Sequence, residues 1–130
     1  VAGPGHPRAG VAHPTREALS AYPLVVPVQG TLVRDTADAY LFARGSYLPS
    51  ALVEATDTSF VLGLLRRSDA VWFAPGGAAN SSLAAGELTR LDFDTRSTEG
   101  PVGITLRRSG EPGEGAQRLI QVIQEVARAR

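Results

Sequence analysis

The residues best suited to hold a small anion follow one another at Val28, Gln29, Gly30 and Thr31, where an apolar run gives way to a helical pattern. Leu24, Val25, Val26 and Val28 are apolar and mostly β-branched, punctuated by Pro23 and Pro27, which predicts a short strand in a sheet covered on both faces. Gly30 tolerates backbone angles that a side chain forbids, and the Thr31 hydroxyl can accept a bond from the first free amides of a helix it caps. A strand's carboxyl end meeting a helix amino terminus leaves N–H groups aimed outward with partial positive charge behind them. A carboxylate or phosphate suits such a place.

Other chemistry-bearing patterns are weaker. Phe73, Ala74 and Pro75 close a second apolar run, Ala70 to Phe73, and form a further strand-to-helix turn. The Gly76–Ser82 run looks like a phosphate cradle but lacks the Lys-Ser/Thr ending that would hold a nucleotide and its metal, so it reads as a turn into a short helix. Asn80-Ser81-Ser82-Leu83 does not supply the G-x-S-x-G turn of a serine hydrolase. Asp92 and Asp94 alternate on an expected strand and could mimic paired carboxylates, though two solvated acids at a strand end are commoner. His6 and His13 each sit beside a proline without a ligand partner at helical spacing, which predicts solvated loop histidines. Arg34 could reach a bound carboxylate or pair with Asp38 one turn on. No catalytic residues, metal site or cofactor are expected, and the chain is read as not an enzyme.

The elements that must position these residues alternate between strand and helix. A helix from about Thr31 to Arg44 carries Leu32, Val33, Ala37, Tyr40 and Leu41 on one face, with Gly45 placed to end it in the left-handed conformation. A short helical turn is expected over 15–21, before the central strand. Leu52–Ala55 predicts a second strand. Thr56-Asp57-Thr58-Ser59 supplies caps for a helix bearing Phe60, Val61, Leu64 and Leu65, closed by Arg66 and Arg67. Gly86 ends the short helix after Pro75. Leu88–Phe93 and Val102–Leu106 read as two further strands, and a last helix after Pro112 bears Ala116, Leu119, Ile120, Ile123, Val126 and Ala127 on one stripe. Strands alternating with helices imply a parallel sheet, hence an α/β fold.

Composition bounds the function. At 130 residues and 43% hydrophobic content the chain has enough apolar sequence for one compact domain. Thirteen Arg balance thirteen acidic residues, so no global field draws the chain to nucleic acid or an anionic membrane. It has no Cys, which removes disulfides and thiolate chemistry and fits a reducing, cytoplasmic setting. It also has no Met and opens Val1-Ala2-Gly3, which suggests a piece of a longer chain.

The order of His6-Pro7-Arg8-Ala9-Gly10, Tyr22-Pro23-Leu24-Val25-Val26, a strand with Glu54, a helix with Val61-Leu62-Gly63-Leu64-Leu65, a strand closing at Pro75, and Leu83-Ala84-Ala85-Gly86-Glu87-Leu88 resembles LysR-type transcriptional regulators. The resemblance covers almost the whole chain. Within the family, Arg67–Trp72 and Phe93–Gly103 are similar to regulators of the protocatechuate (pca) operon, although Ser68-Asp69-Ala70 stands where many members carry Gly-x-Gly.

The resemblance implies a periplasmic-binding-protein-like (type 2) fold, a mostly parallel sheet flanked by helices, forming part of a two-subdomain effector domain. Residues 1–10 would be the end of a strand and connector from the first subdomain, 11–100 the second subdomain, and 101–130 a strand and helix returning to the first. It further implies a small-molecule effector, possible contacts at Val28, Gln29, Gly30 and Thr31 and more loosely at Phe73, Ala74 and Pro75, and a carboxylated muconate or related aromatic acid as ligand. DNA would be bound only through an N-terminal helix-turn-helix, in a homo-oligomer without membrane attachment. A transporter's solute-binding protein shares the fold and is the alternative, with an enzyme of split active site behind it.

Overall fold

The computed structural model describes residues 1–15, 19–43, 45, 51–108 and 110–128. It divides into two compact units, Val1–Glu99 and Gly100–Arg130. In the first, strand β1 (Leu24–Val26) is central in a three-stranded parallel sheet, between β2 (Leu52–Glu54) and β3 (Val71–Trp72). The register pairs Leu24 with both Leu52 and Val71. Side chains alternate across a strand, and β1 shows it. Leu24 and Val26 join Tyr40, Leu41, Val71 and Leu91 on one face, while Val25 joins Val61, Leu65, Trp72 and Ala79 on the other. A strand buried on both sides needs apolar residues at consecutive positions, which is why Leu-Val-Val carries no polar alternation.

Helix α1 (Leu32–Ala43) covers the first face. It starts because Thr31 caps it: the Thr31 hydroxyl accepts from the Arg34 N–H at 3.2 Å, and the Thr31 carbonyl accepts from the Asp35 N–H at 3.0 Å. Gly30, just before it, has φ +80°, the left-handed angle expected of a glycine here. The helix gives way at Gly45, φ +64°, whose N–H donates to Phe42 O at 2.9 Å. Of the turn expected over 15–21, residues 16–18 lie outside the described residues, while Leu19 and Ser20 are helical and the Tyr22 N–H donates to Leu19 O at 3.2 Å.

Helices α2 (Thr58–Leu65) and α3 (Gly76–Ala84) cover the second face. Asp57 caps α2 as its sequence context predicts, its carboxylate accepting from the Phe60 N–H at 2.6 Å. Instead of a glycine turn, α3 begins at Gly76 itself, directly on Pro75, whose carbonyl accepts from Ala78 N–H at 2.9 Å. Proline's fixed φ suits a helix start, so the glycines are recruited into the first turn. Gly86, φ +72°, follows the helix.

Two expected strands do not form among the described residues. Over 88–93 only Thr89 makes a ladder contact, an antiparallel bridge to Ala2, which also bridges Val71. Extension stops because the Phe93 N–H turns back to Leu91 O at 2.8 Å, closing a three-residue turn. A 3-10 turn (Arg96–Thr98) follows.

In the second unit, 102–106 has no ladder partner among the described residues and Val102 is fully exposed. An extended segment becomes a strand only when another backbone pairs with it. Helix α4 (Glu114–Arg128) forms as the periodicity predicts, and Gln117 closes its start by donating from the side chain to Pro112 O at 2.8 Å. None of its described residues is buried; Leu119, Val122, Ile123 and Val126 are exposed.

Candidate functional site

Parallel strands place their carboxyl ends on one edge, and neighbouring strands lie about 5 Å apart. Since β1 and β3 are such neighbours, the turn 27–31 and the turn 73–75 reach the same edge of the sheet. All seven residues of the candidate set are half-buried or exposed, as a ligand site requires: Val28, Gln29, Gly30, Thr31, Phe73, Ala74 and Pro75. Pro75 starts α3 beside them. Thr31 is already engaged twice, donating to Val28 O at 3.0 Å and accepting from Arg34 N–H.

Arg34 does not face an incoming ligand. It is buried, 3% exposed, under the same turn. Its Nε donates to both Asp38 oxygens at 2.8 and 2.9 Å, and its Nη1 donates to Pro27 O at 3.1 Å and to Glu54 Oε1. Hydrogen bonding by Glu54, then Asp38, raises its pKa above the ordinary guanidinium value. The i to i+4 pair with Asp38 is the one the sequence suggests; the link to Glu54 at the end of β2 was missed, because strand order is not written in local spacing. Arg34 thus ties the carboxyl ends of β1 and β2 to α1.

A cavity of about 370 Å³ opens at the carboxyl end of β3, a volume fit for a small ligand. Its walls include Tyr40, Trp72, Phe73 and Phe93, and its rim includes Arg90, Thr95 and Glu99. Phe73 and Ala74 of the candidate set line it; Val28, Gln29, Gly30, Thr31 and Pro75 do not. Tyr40 and Phe73 meet ring to ring at 5.5 Å, and the Tyr40 hydroxyl donates to Asp94 O at 2.9 Å. The sequence did not single out Arg90, which lies in an expected strand, and marked Thr95–Glu99 only as part of the Phe93–Gly103 resemblance, without a ligand role.

The register explains how Arg90 arrives there. Ala2 bridges Val71 on one side and Thr89 on the other, so the residues after each run level. Val1 continues this pairing: its nitrogen lies 2.9 Å from Trp72 O and its carbonyl accepts from Trp72 N–H at 2.8 Å.

The family match is decisive. The family of the LysR substrate binding domain matches residues 1–128. The chain belongs to this family. It is 30% identical over 123 residues to the HTH-type transcriptional regulator PcaQ of Agrobacterium fabrum, covering 95% of this chain and 40% of that protein. It is 31% identical over 104 residues to the uncharacterized HTH-type transcriptional regulator YdcI of Escherichia coli, 80% of this chain and 34% of that one. The HTH-type transcriptional regulator GalR of Pseudomonas putida is 29% identical over 122 residues, 94% of this chain and 30% of its own length. The chain therefore spans well under half of the curated relatives it matches. All are named as regulators and none as an enzyme. No solved structure matches.

The remaining candidates in this LysR substrate-binding domain have structural duties. His6 corrects the expectation of a solvated loop histidine: it is 5% exposed, its ring 4.5 Å from that of Tyr22. Its Nδ1 accepts from the Arg8 N–H at 3.0 Å, so the hydrogen is on Nε2, 3.2 Å from Asp69 O. His13 is exposed and meets Asp92 at 3.4 Å. Asp94 instead holds Arg96 through two side-chain bonds, so the two aspartates serve different partners. Among the described residues no cluster of three metal-binding side chains occurs, and no helix is long and apolar enough to cross a membrane.

Proposed function

We propose that this chain is the effector-sensing part of a LysR-type transcriptional regulator. It would take a small carboxylated metabolite, of the muconate or aromatic-acid kind, at the carboxyl edge of its sheet. A DNA-binding helix-turn-helix elsewhere in the longer protein would read its occupancy. The regulator would work as a homo-oligomer in the cytoplasm without a cofactor. The observation that carries the reading is the cavity at the end of β3, on the edge where open α/β sheets bind ligands, in a chain of this family. The proposed contacts are Phe73 and Ala74, which line that cavity, together with Pro75 and the backbone groups of Val28, Gln29, Gly30 and Thr31, which lie outside it on the same edge of the sheet. The name of the PcaQ relatives supports an aromatic-catabolism ligand. The solute-binding alternative shares the fold, but the relatives named as HTH-type regulators favour the regulatory reading.

The test is a titration of the full-length protein with carboxymuconate and related acids, followed by footprinting on the promoter it regulates. An acid that binds in the micromolar range and alters the footprint supports the assignment. If no acid changes the footprint while the protein still binds DNA, the sensing role is wrong.

A further inference from the structure

The anion-binding group of this domain need not be the turn before α1. Leu32, the first residue of that helix, is 81% exposed, so no wall surrounds the amides there. The Thr31 hydroxyl is spent on Val28 and Arg34, and Arg34 is locked by Asp38 and Glu54. The cavity at β3 differs on each count. It is lined by Trp72, Phe73 and Phe93 and carries two charged side chains at its rim, Arg90 and Glu99.

The charges near that rim sort themselves. Asp92 is turned to His13, Asp94 is held by Arg96, and Glu87 is held by Arg66 at 2.9 Å. Arg96, held chiefly by Asp94, also feels Glu99. No ion pair or hydrogen bond among the described residues engages the Arg90 side chain. A guanidinium with no partner of its own can make a two-pronged bond to a carboxylate.

We propose that Arg90 recognises the ligand's negative charge, and that the ligand is a carboxylate whose apolar part lies against Phe73 and Phe93. This rests on the cavity being the effector's site. Thr95 lines the same cavity.

The experiment is amide-resolved NMR titration of the 130-residue chain with benzoate and, separately, with its uncharged isostere benzamide. Benzoate should shift the amides of Phe73, Ala74, Thr95 and Thr98 and the Arg90 Nε–H. Arg90→Gln should weaken benzoate at least tenfold and leave benzamide unchanged, while Arg90→Lys recovers part of the loss. Arg90 is exposed, and the spectrum of each variant reports directly that it remains folded. Equal benzoate affinity in Arg90→Gln, with the cavity amides still shifting, would remove Arg90 as the anchor and leave the cavity as the site. Shifts confined to Gln29–Arg34 would overturn both, moving the anion to the turn before α1. Failure of both probes to shift any cavity amide would overturn the cavity as the site, and the proposal with it.

Discussion

His6 Nε2 lies 3.2 Å from the main-chain oxygen of Asp69, so the connector at the start of the chain is fastened to the turn that feeds β3. The other ring nitrogen accepts from Arg8 N–H, an arrangement open only to neutral imidazole. Burial, the largest influence, lowers the His6 pKa below 6.5, against the opposing pull of the Asp69 backbone bond and charge. The folded state therefore binds fewer protons than the unfolded one as pH falls below about 6.5. His6 costs no stability above that pH and destabilises the fold as pH drops towards the folded-state pKa. Thermal melts between pH 8 and 5 should show a larger acid-side loss for the parent than for His6→Gln; equal losses would show that other groups dominate.

Arg34 should matter to the fold. Replacing it with Met would leave Asp38 and Glu54 without their partner and Pro27 O without its donor. The two carboxylate side chains are 45% and 39% exposed and can be rehydrated, so the cost should be about 2 kcal/mol, below the range for a fully buried broken pair. Chemical denaturation measures it, and a change under about 0.5 kcal/mol would mean the network is a surface feature.

Gly30 tests the turn. At φ +80° a β-branched residue is strained even though a Cβ would meet nothing within 4 Å. Gly30→Val should cost about 2 kcal/mol in melts, with Gly30→Ala nearer 1. In the full-length regulator the valine variant should also weaken effector binding; unchanged affinity would take the turn out of the ligand site.

Asp57→Ala should cost about 1 kcal/mol, because the Phe60 N–H loses its acceptor at an exposed helix start. Asp57→Asn retains an acceptor and should stay within a few tenths of the parent. Equal loss in both variants would place the effect in the charge at the helix start rather than in the cap.

Helix α4 presents Leu119, Ile123 and Val126 as an apolar stripe, with Ile123 44% exposed. Ile123→Asp should change the melting temperature little, since burial is what makes a charge costly. Sedimentation over the micromolar range should show the parent self-associating and this variant less so. A monomeric parent at every concentration would remove the stripe as a contact.

Local sequence determined the elements whose causes are local. Apolar Leu24–Val26, the Asp57 cap, the left-handed glycines at 30, 45 and 86, and the stripe of α4 all stand where spacing and residue type put them. The motif order also carried the family. Tertiary structure decided what depends on partners distant in the chain. Thr89 makes only a bridge because the chain turns back at Leu91–Phe93, and 102–106 finds no ladder partner among the described residues. Glu54 meets Arg34 because β2 lies beside β1, a neighbour relation that no short-range pattern encodes. His6 is buried because Tyr22 and the Asp69 turn close over it, and Arg90 reaches the cavity because Ala2 aligns Thr89 with Val71. Burial and charge pairing are properties of contacts, and contacts between residues 20 to 90 positions apart exist only once the sheet has set its strand order.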